Sequence, residues 1–175
     1  MRYFLIIVGM VACISVQAQQ TLRADKANSS IKYFMKHALH SWQGVSQDVN
    51  SIVQLNAQGD IEKVAATVPV KSFDSKNSNR DSHMLEVTDA LTHPNVSFFS
   101  TSVNKTADGY DVKGMLNFHG VEKPVNIQAK EVRQGSHRTI TGNFIFLLED
   151  HKVKRPTLMM VKTDNEVRIT FSFSY

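Results

Sequence analysis

Cysteine is almost absent: Cys13 is the only one in 175 residues. A lone thiol cannot make an intrachain disulfide, and structural zinc built on cysteines is excluded. Stability must come from a core, which one domain of this length and 42% hydrophobic content can build. Long apolar runs are also missing. The longest, Tyr3 to Val16, is shorter than the ~20 residues of a membrane-spanning helix. Arg2 precedes it and Val16-Gln17-Ala18 follows with small residues at the cleavage positions, so residues 1–18 read as a secretory signal and 19–175 as the mature domain. That cut removes Cys13 and with it any thiol nucleophile. The expected location is periplasmic or secreted, with no retained membrane span. Met10-Val11-Ala12-Cys13 offers a lesser alternative, a lipoprotein acylated at Cys13, but Met10 is an atypical lead residue for that motif.

No charge of one sign is concentrated. The net charge is +4, the basic residues are scattered, and the densest group is Lys152-x-Lys154-Arg155. That is a solvated surface rather than a nucleic-acid groove. Internal repeats, low-complexity tracts and linkers are lacking. So are the Gly-x-Ser-x-Gly elbow, the His-Glu-x-x-His helix and the phosphate loop, which leaves no recognisable catalytic motif.

What the chain does contain is two-residue alternation. Tyr110, Val112, Gly114, Leu116 and Phe118 share one face of a strand, and Val167, Ile169, Phe171, Phe173 and Tyr175 share another. Ile31/Tyr33/Met35, Val64/Ala66/Val68/Val70, Val125/Ile127/Ala129 and Ile140/Gly142/Phe144/Phe146/Leu148 repeat the pattern. Such strands are antiparallel, with one buried and one wet face. Turn signals separate them at 57–60, 107–109, 120–124, 134–136 and 163–165. About eight strands result, enough to close an all-β barrel that holds side chains or one small ligand. One stretch, 77–98, departs from alternation. Met84, Val87 and Leu91 recur at helical spacing, Asp81 or Ser82 can cap the start, and Pro94 forbids continuation, so a short helix lies between strands with this stripe against the barrel.

The inward phases carry Phe98, Leu116, Phe118, Phe144, Phe146, Ile169 and Phe171 beside the small Gly114, Ala66 and Gly142. Tyr33, Met35 and Val68 belong to the same buried faces. Bulky and small levels together can leave an elongated void, or the same residues can fill the interior; alternation alone leaves both open. Gly114 and Gly142 are the positions where room beside Phe118 and Phe144 is expected. Met84, Met115, Met159 and Met160 are candidates for a compliant lining, although Met115 is on the outward phase. Arg80 and Asp81 are expected to tether the loop entering the helix through a salt bridge. His83 and His93 are ten residues apart with no accompanying carboxylate or cysteine pattern, so no metal site is expected. His37, His40 and His119 are read as hydrogen-bonding or exposed residues, and Asp81 with His83 as an acid–base pair of an unrecognised enzyme is the weaker reading.

An ordered series of segments resembles the YceI-like family, secreted lipid-binding barrels related in architecture to lipocalins. It runs through residues 31–37 (IKYFMKH), Trp42-Gln43-Gly44, 68–73 (VPVKSF), 80–84 (RDSHM), 93–98 (HPNVSF), 114–121 (GMLNFHGV) and Lys123-Pro124-Val125. The resemblance covers essentially the whole mature chain. It implies an eight-stranded antiparallel lipocalin-like barrel, with a helix near the pocket, holding a polyisoprenoid, an isoprenoid quinone or a fatty-acid-like lipid. Taken with the inward phases, it makes Tyr33, Met35, Val68, Phe98, Gly114, Leu116, Phe118, Gly142, Phe144, Phe146, Ile169 and Phe171 the residues expected to line the ligand. Where many members carry aromatics in the helix, this chain has Thr88-Asp89-Ala90-Leu91. The expected partner is a hydrophobic small molecule, without nucleic acid, catalytic residues or a further cofactor; a monomer and a homodimer are both left open, and so is a ligand-free structural or stress-related envelope barrel.

Overall fold

The computed structural model describes residues 20–175; the expected signal segment and Cys13 lie outside the described residues. Alternation becomes strand nearly everywhere. The first strands are β1 (Gln20–Arg23), β2 (Ser30–His37), β3 (His40–Ser46), β4 (Asn50–Leu55) and β5 (Ile61–Pro69). Helix α1 (Ser78–Val87) follows, then β6 (Asn95–Lys105), β7 (Gly109–Phe118), β8 (Val121–Gln134) and β9 (His137–Leu147). A two-stranded ribbon, β10 (Thr157–Leu158) and β11 (Val161–Lys162), precedes β12 (Glu166–Ser174). The other ten strands form one antiparallel sheet in the order β1-β4-β5-β6-β7-β8-β9-β12-β2-β3.

Ten strands stand where eight were expected, and the reason is physical. The antiparallel pairings make β1 and β2 run in one direction, separated by the 3-10 turn Lys26–Asn28, and make β3 and β4 run together in the opposite direction, separated by residues 47–49. Each couple is one long strand that bends between the two ends of the sheet, because β1 pairs with β4 at one end and β2 with β3 at the other. Rejoining the couples gives eight strands around a closed barrel, and closure is the favourable way to remove sheet edges. The bend is held by Val49, fully buried, and by a Ser46–Ser72 hydroxyl hydrogen bond of 2.6 Å. The Asp25 N–H also donates to the Ser174 carbonyl.

The β4–β5, β6–β7 and β8–β9 turns close one end of the barrel, whereas α1, the β10–β11 ribbon and the tight β2–β3 and β7–β8 turns sit at the other. The β7–β8 turn is His119-Gly120 alone, with φ of 52° and 70°, the geometry of a two-residue I′ hairpin. The 120–124 turn signal therefore marks only its first residue, and Pro124 lies inside β8 opposite Met115. The β8–β9 ladder begins only at Gln128–Asn143, so Pro124 removes no hydrogen bond from it. A 3-10 turn, Glu149–His151, fills that parting of the wall: the buried His151 donates Nδ1–H to the Val121 carbonyl at 2.9 Å and meets Phe118 and Phe146 edge-on.

The helix starts earlier than the expected cap. Asn77 is the N-cap and accepts the Arg80 N–H at 3.0 Å, while Asp81 turns back to accept the Ser75 N–H. Val87 is its last residue; Asp89, at φ 43°, redirects the chain and leaves Leu91 fully exposed rather than against the barrel.

Candidate functional site

The barrel interior holds a cavity of about 470 Å³, within the range of ordinary small-ligand sites. Three apolar clusters wall it. One lies toward the end closed by the β8–β9 turn, around Val53, Ile61, Phe98, Tyr110 and Ile140; a second lies toward the helix around Tyr33, Met35, Phe118 and Ile169; the third lines the bend at Val49, Val68 and Phe173. Of the twelve residues expected to line a pocket, Tyr33, Met35, Val68, Phe98, Leu116, Phe118, Phe144, Phe146, Ile169 and Phe171 do line it.

Gly114 and Gly142 do not, and their expected role is corrected. A Cβ on Gly114 would stand 2.4 Å from the Phe98 ring and from the Phe99 carbonyl oxygen. On Gly142 it would stand 2.5 Å from the Phe171 ring. The room left by each missing side chain is already occupied by an aromatic ring, so the glycines seat the wall and leave no void. Gly44 does the same for Tyr33, whose ring atom would lie 2.3 Å from a Cβ there. Of the methionines, Met84 lines the cavity, Met115 is half-buried on its outward phase, and Met159 and Met160 are exposed at the ribbon turn.

The end closed by the β8–β9 turn is sealed by charge. Glu131 lies 3.0 Å from Arg138 and 2.9 Å from Arg133, and the buried Arg138 donates to the Gly59 carbonyl at 2.6 Å. The buried Tyr110 donates its hydroxyl to Glu131 at 3.2 Å. Tyr175 shares a 2.6 Å hydrogen bond with Ser51, and burial pushes its hydroxyl up to about 12.

The helix end is different. Arg80, His83, Met84 and Val87, at positions i, i+3, i+4 and i+7, present one face of α1 to the cavity. The Arg80 guanidinium lies 5.5 Å from the centre of the Trp42 ring, and Trp42 continues into His40 and His37 through ring contacts of 5.3 and 5.8 Å. His37 is buried: Nδ1 accepts the Leu39 N–H and Nε2–H donates to the Val161 carbonyl, which ties the ribbon to β2. Arg80 and Asp81 do tether the loop, but not by the expected salt bridge. Both hold Ser75, Arg80 through its carbonyl at 3.4 Å and Asp81 through its N–H at 3.2 Å. Burial raises the Tyr33 hydroxyl above its ordinary value; Asp81 adds to this and Arg80 opposes it. The sequence reading missed Trp42, His40 and Arg80 as cavity residues. The helical phase that picked Met84 and Val87 also contains Arg80 and His83, which hydrophobicity alone does not select.

Among the described residues, no group of three or more His, Cys, Asp or Glu is placed to hold a metal ion. No helix among them is long and apolar enough to cross a membrane.

Residues 22–175 match the model of the YceI-like domain. A UPF0312 protein of Pectobacterium atrosepticum is 31% identical over 134 residues, 73% of this chain and 70% of that protein. The crystal structure of BcnA from Burkholderia cenocepacia aligns with a TM-score of 0.78 at 19% identity, over 87% of this chain and 99% of that one. A polyisoprenoid-binding domain from Saccharophagus degradans, implicated in plant cell wall breakdown, aligns with a TM-score of 0.69 at 11% identity, over 90% of this chain and 98% of its own.

Proposed function

The chain belongs to the YceI-like family, and from that premise we propose that it is a binding protein, exported to the periplasm or beyond, that holds an isoprenoid or other long-chain lipid inside its barrel. The observation that carries this reading is the cavity itself, walled along its length by apolar side chains from all three clusters. The ligand named for the structurally similar Saccharophagus domain supports it. The driving force is burial: each methylene moved from water into such a cavity gains roughly 0.8 kcal/mol, so a long chain binds with few polar contacts. The role is storage, transport or protection of that lipid, by binding rather than turnover.

Mass spectrometry of organic extracts from protein purified from its own host tests the reading. One dominant long-chain species, present near stoichiometry and rebinding to delipidated protein, is the expected result. Protein that carries no extractable lipid and takes up none would leave a packed envelope barrel instead.

A further inference from the structure

The titratable side chains lining the cavity, tyrosines apart, are gathered in one place. Among the described residues no Asp or Glu lines it, and the side chains in question are Arg80, His83, His37 and His40. All four belong to the helix end, on α1 and on the facing β2–β3 hairpin. Arg80 is half-buried and has no carboxylate within ion-pair distance among the described residues; its contacts are the Trp42 ring and one long hydrogen bond to Ser75. A guanidinium carries five N–H donors, so most of its fork is uncommitted. The nearest carboxylates in sequence are directed elsewhere, Asp81 to the Ser75 N–H, Asp74 to Lys76 at 2.7 Å and Glu86 to His83 at 3.3 Å, and none of them lines the cavity.

An unpaired cation against an apolar cavity is costly unless something supplies the opposite charge. At the sealed end the protein supplies it: Glu131 answers Arg138 and Arg133. At the open end it does not. We propose that the ligand does, and that the mouth of the barrel is a head-group site for an anionic amphiphile, with Arg80 as the residue that receives a carboxylate or phosphate monoester while the chain runs inward past Tyr33, Met35 and Phe118. The planar fork of arginine matches either anion in a bidentate fashion, and the Trp42 ring packs beside the guanidinium. The inference rests on the lipid-holding reading above and adds the chemistry of the head.

Delipidated protein is titrated calorimetrically with oleate, oleyl phosphate and oleyl alcohol, which share one chain and differ at the head. The expected result is that at least one anion binds roughly tenfold or more tighter than the alcohol, as a charge-assisted bidentate contact provides; which anion it is distinguishes a fatty acid from a phosphorylated lipid. Arg80→Gln should abolish that preference, bringing the affinity for the anion down to that for the alcohol. Trp42 is the only tryptophan in the chain, so its emission reports on the same spot and should respond to the anion far more than to the alcohol. The wild-type comparison alone tests the inference if the variant folds poorly. Equal affinity for all three ligands overturns the head-group site and leaves the lipid cavity standing, as does a preference that survives in Arg80→Gln. Failure of all three to bind overturns the cavity reading and this one with it.

Discussion

Glycine inside a strand normally weakens it, yet Gly44, Gly114 and Gly142 each lie under an aromatic ring from the neighbouring strand. The rings of Tyr33, Phe98 and Phe171 cover the bare backbone and the glycines let them lie flat, an exchange that pins register. Gly114→Ala is therefore an overpacking change, because the Phe99 carbonyl cannot move aside as a side-chain tip could; urea denaturation should show a loss of about 1–3 kcal/mol. Gly142→Ala should lose less if the Phe171 ring can rotate. His151 makes a different kind of prediction. Burial lowers its pKa below the ordinary 6.5, with the carbonyls of Val121 and Phe118 only partly opposing that, and its Nε2 has no hydrogen-bond partner among the described residues. The unfolded chain therefore takes up the proton first. The neutral imidazole's contribution is complete above pH 6.5 and is lost as pH falls from there toward the lowered folded value. His151→Asn, which keeps a donor near the Val121 carbonyl, should flatten that part of the stability–pH curve; an unchanged slope between pH 7 and pH 5 would assign it to other groups.

Elements differ in how plainly their sequence announces them. β7 and β12 were legible because their alternation is unbroken. The helix was legible as a helix but not in its limits: the cap that forms is Asn77, before any apolar residue of the stripe, and Asp81 is spent on Ser75. Asn77→Ala should lower stability by about 0.5–2 kcal/mol, read as a shift in the urea midpoint at unchanged slope. The ribbon was not legible at all. Its turn is Met159-Met160, both exposed and both at positive φ, 48° and 64°, where Asn-Gly would be the natural choice. Nothing in two methionines signals a turn. Replacing them with Asn-Gly should raise stability by about 1 kcal/mol by relieving that backbone strain, detectable as a higher melting temperature.

For the molecule as a whole, the barrel and most of its lining could be read from phase, since a residue's face follows from its position in the strand. The contents of the two ends could not, because turns and helix faces place side chains that periodicity does not address. The sealed end illustrates it: Tyr110, Glu131 and Arg138 stand on the neighbouring strands β7, β8 and β9, and it is the register of those pairings, not their period, that brings them together. Glu131→Gln should be among the most damaging single changes, about 3–5 kcal/mol, because it strands the buried Arg138. A Glu131→Leu, Arg138→Met double variant should recover much of that loss in the same denaturation assay. The bend between β3 and β4 bears on size rather than strength. There, three residues of chain, 47–49, join the two ends of the sheet, much as a buckle joins the ends of a belt. Lengthening that link by a Gly-Ser pair would let out the belt and give the interior calibre its own dial. The widest chain the barrel admits should then rise with the insertion, until Val49 and Phe173 part and the hoop goes slack.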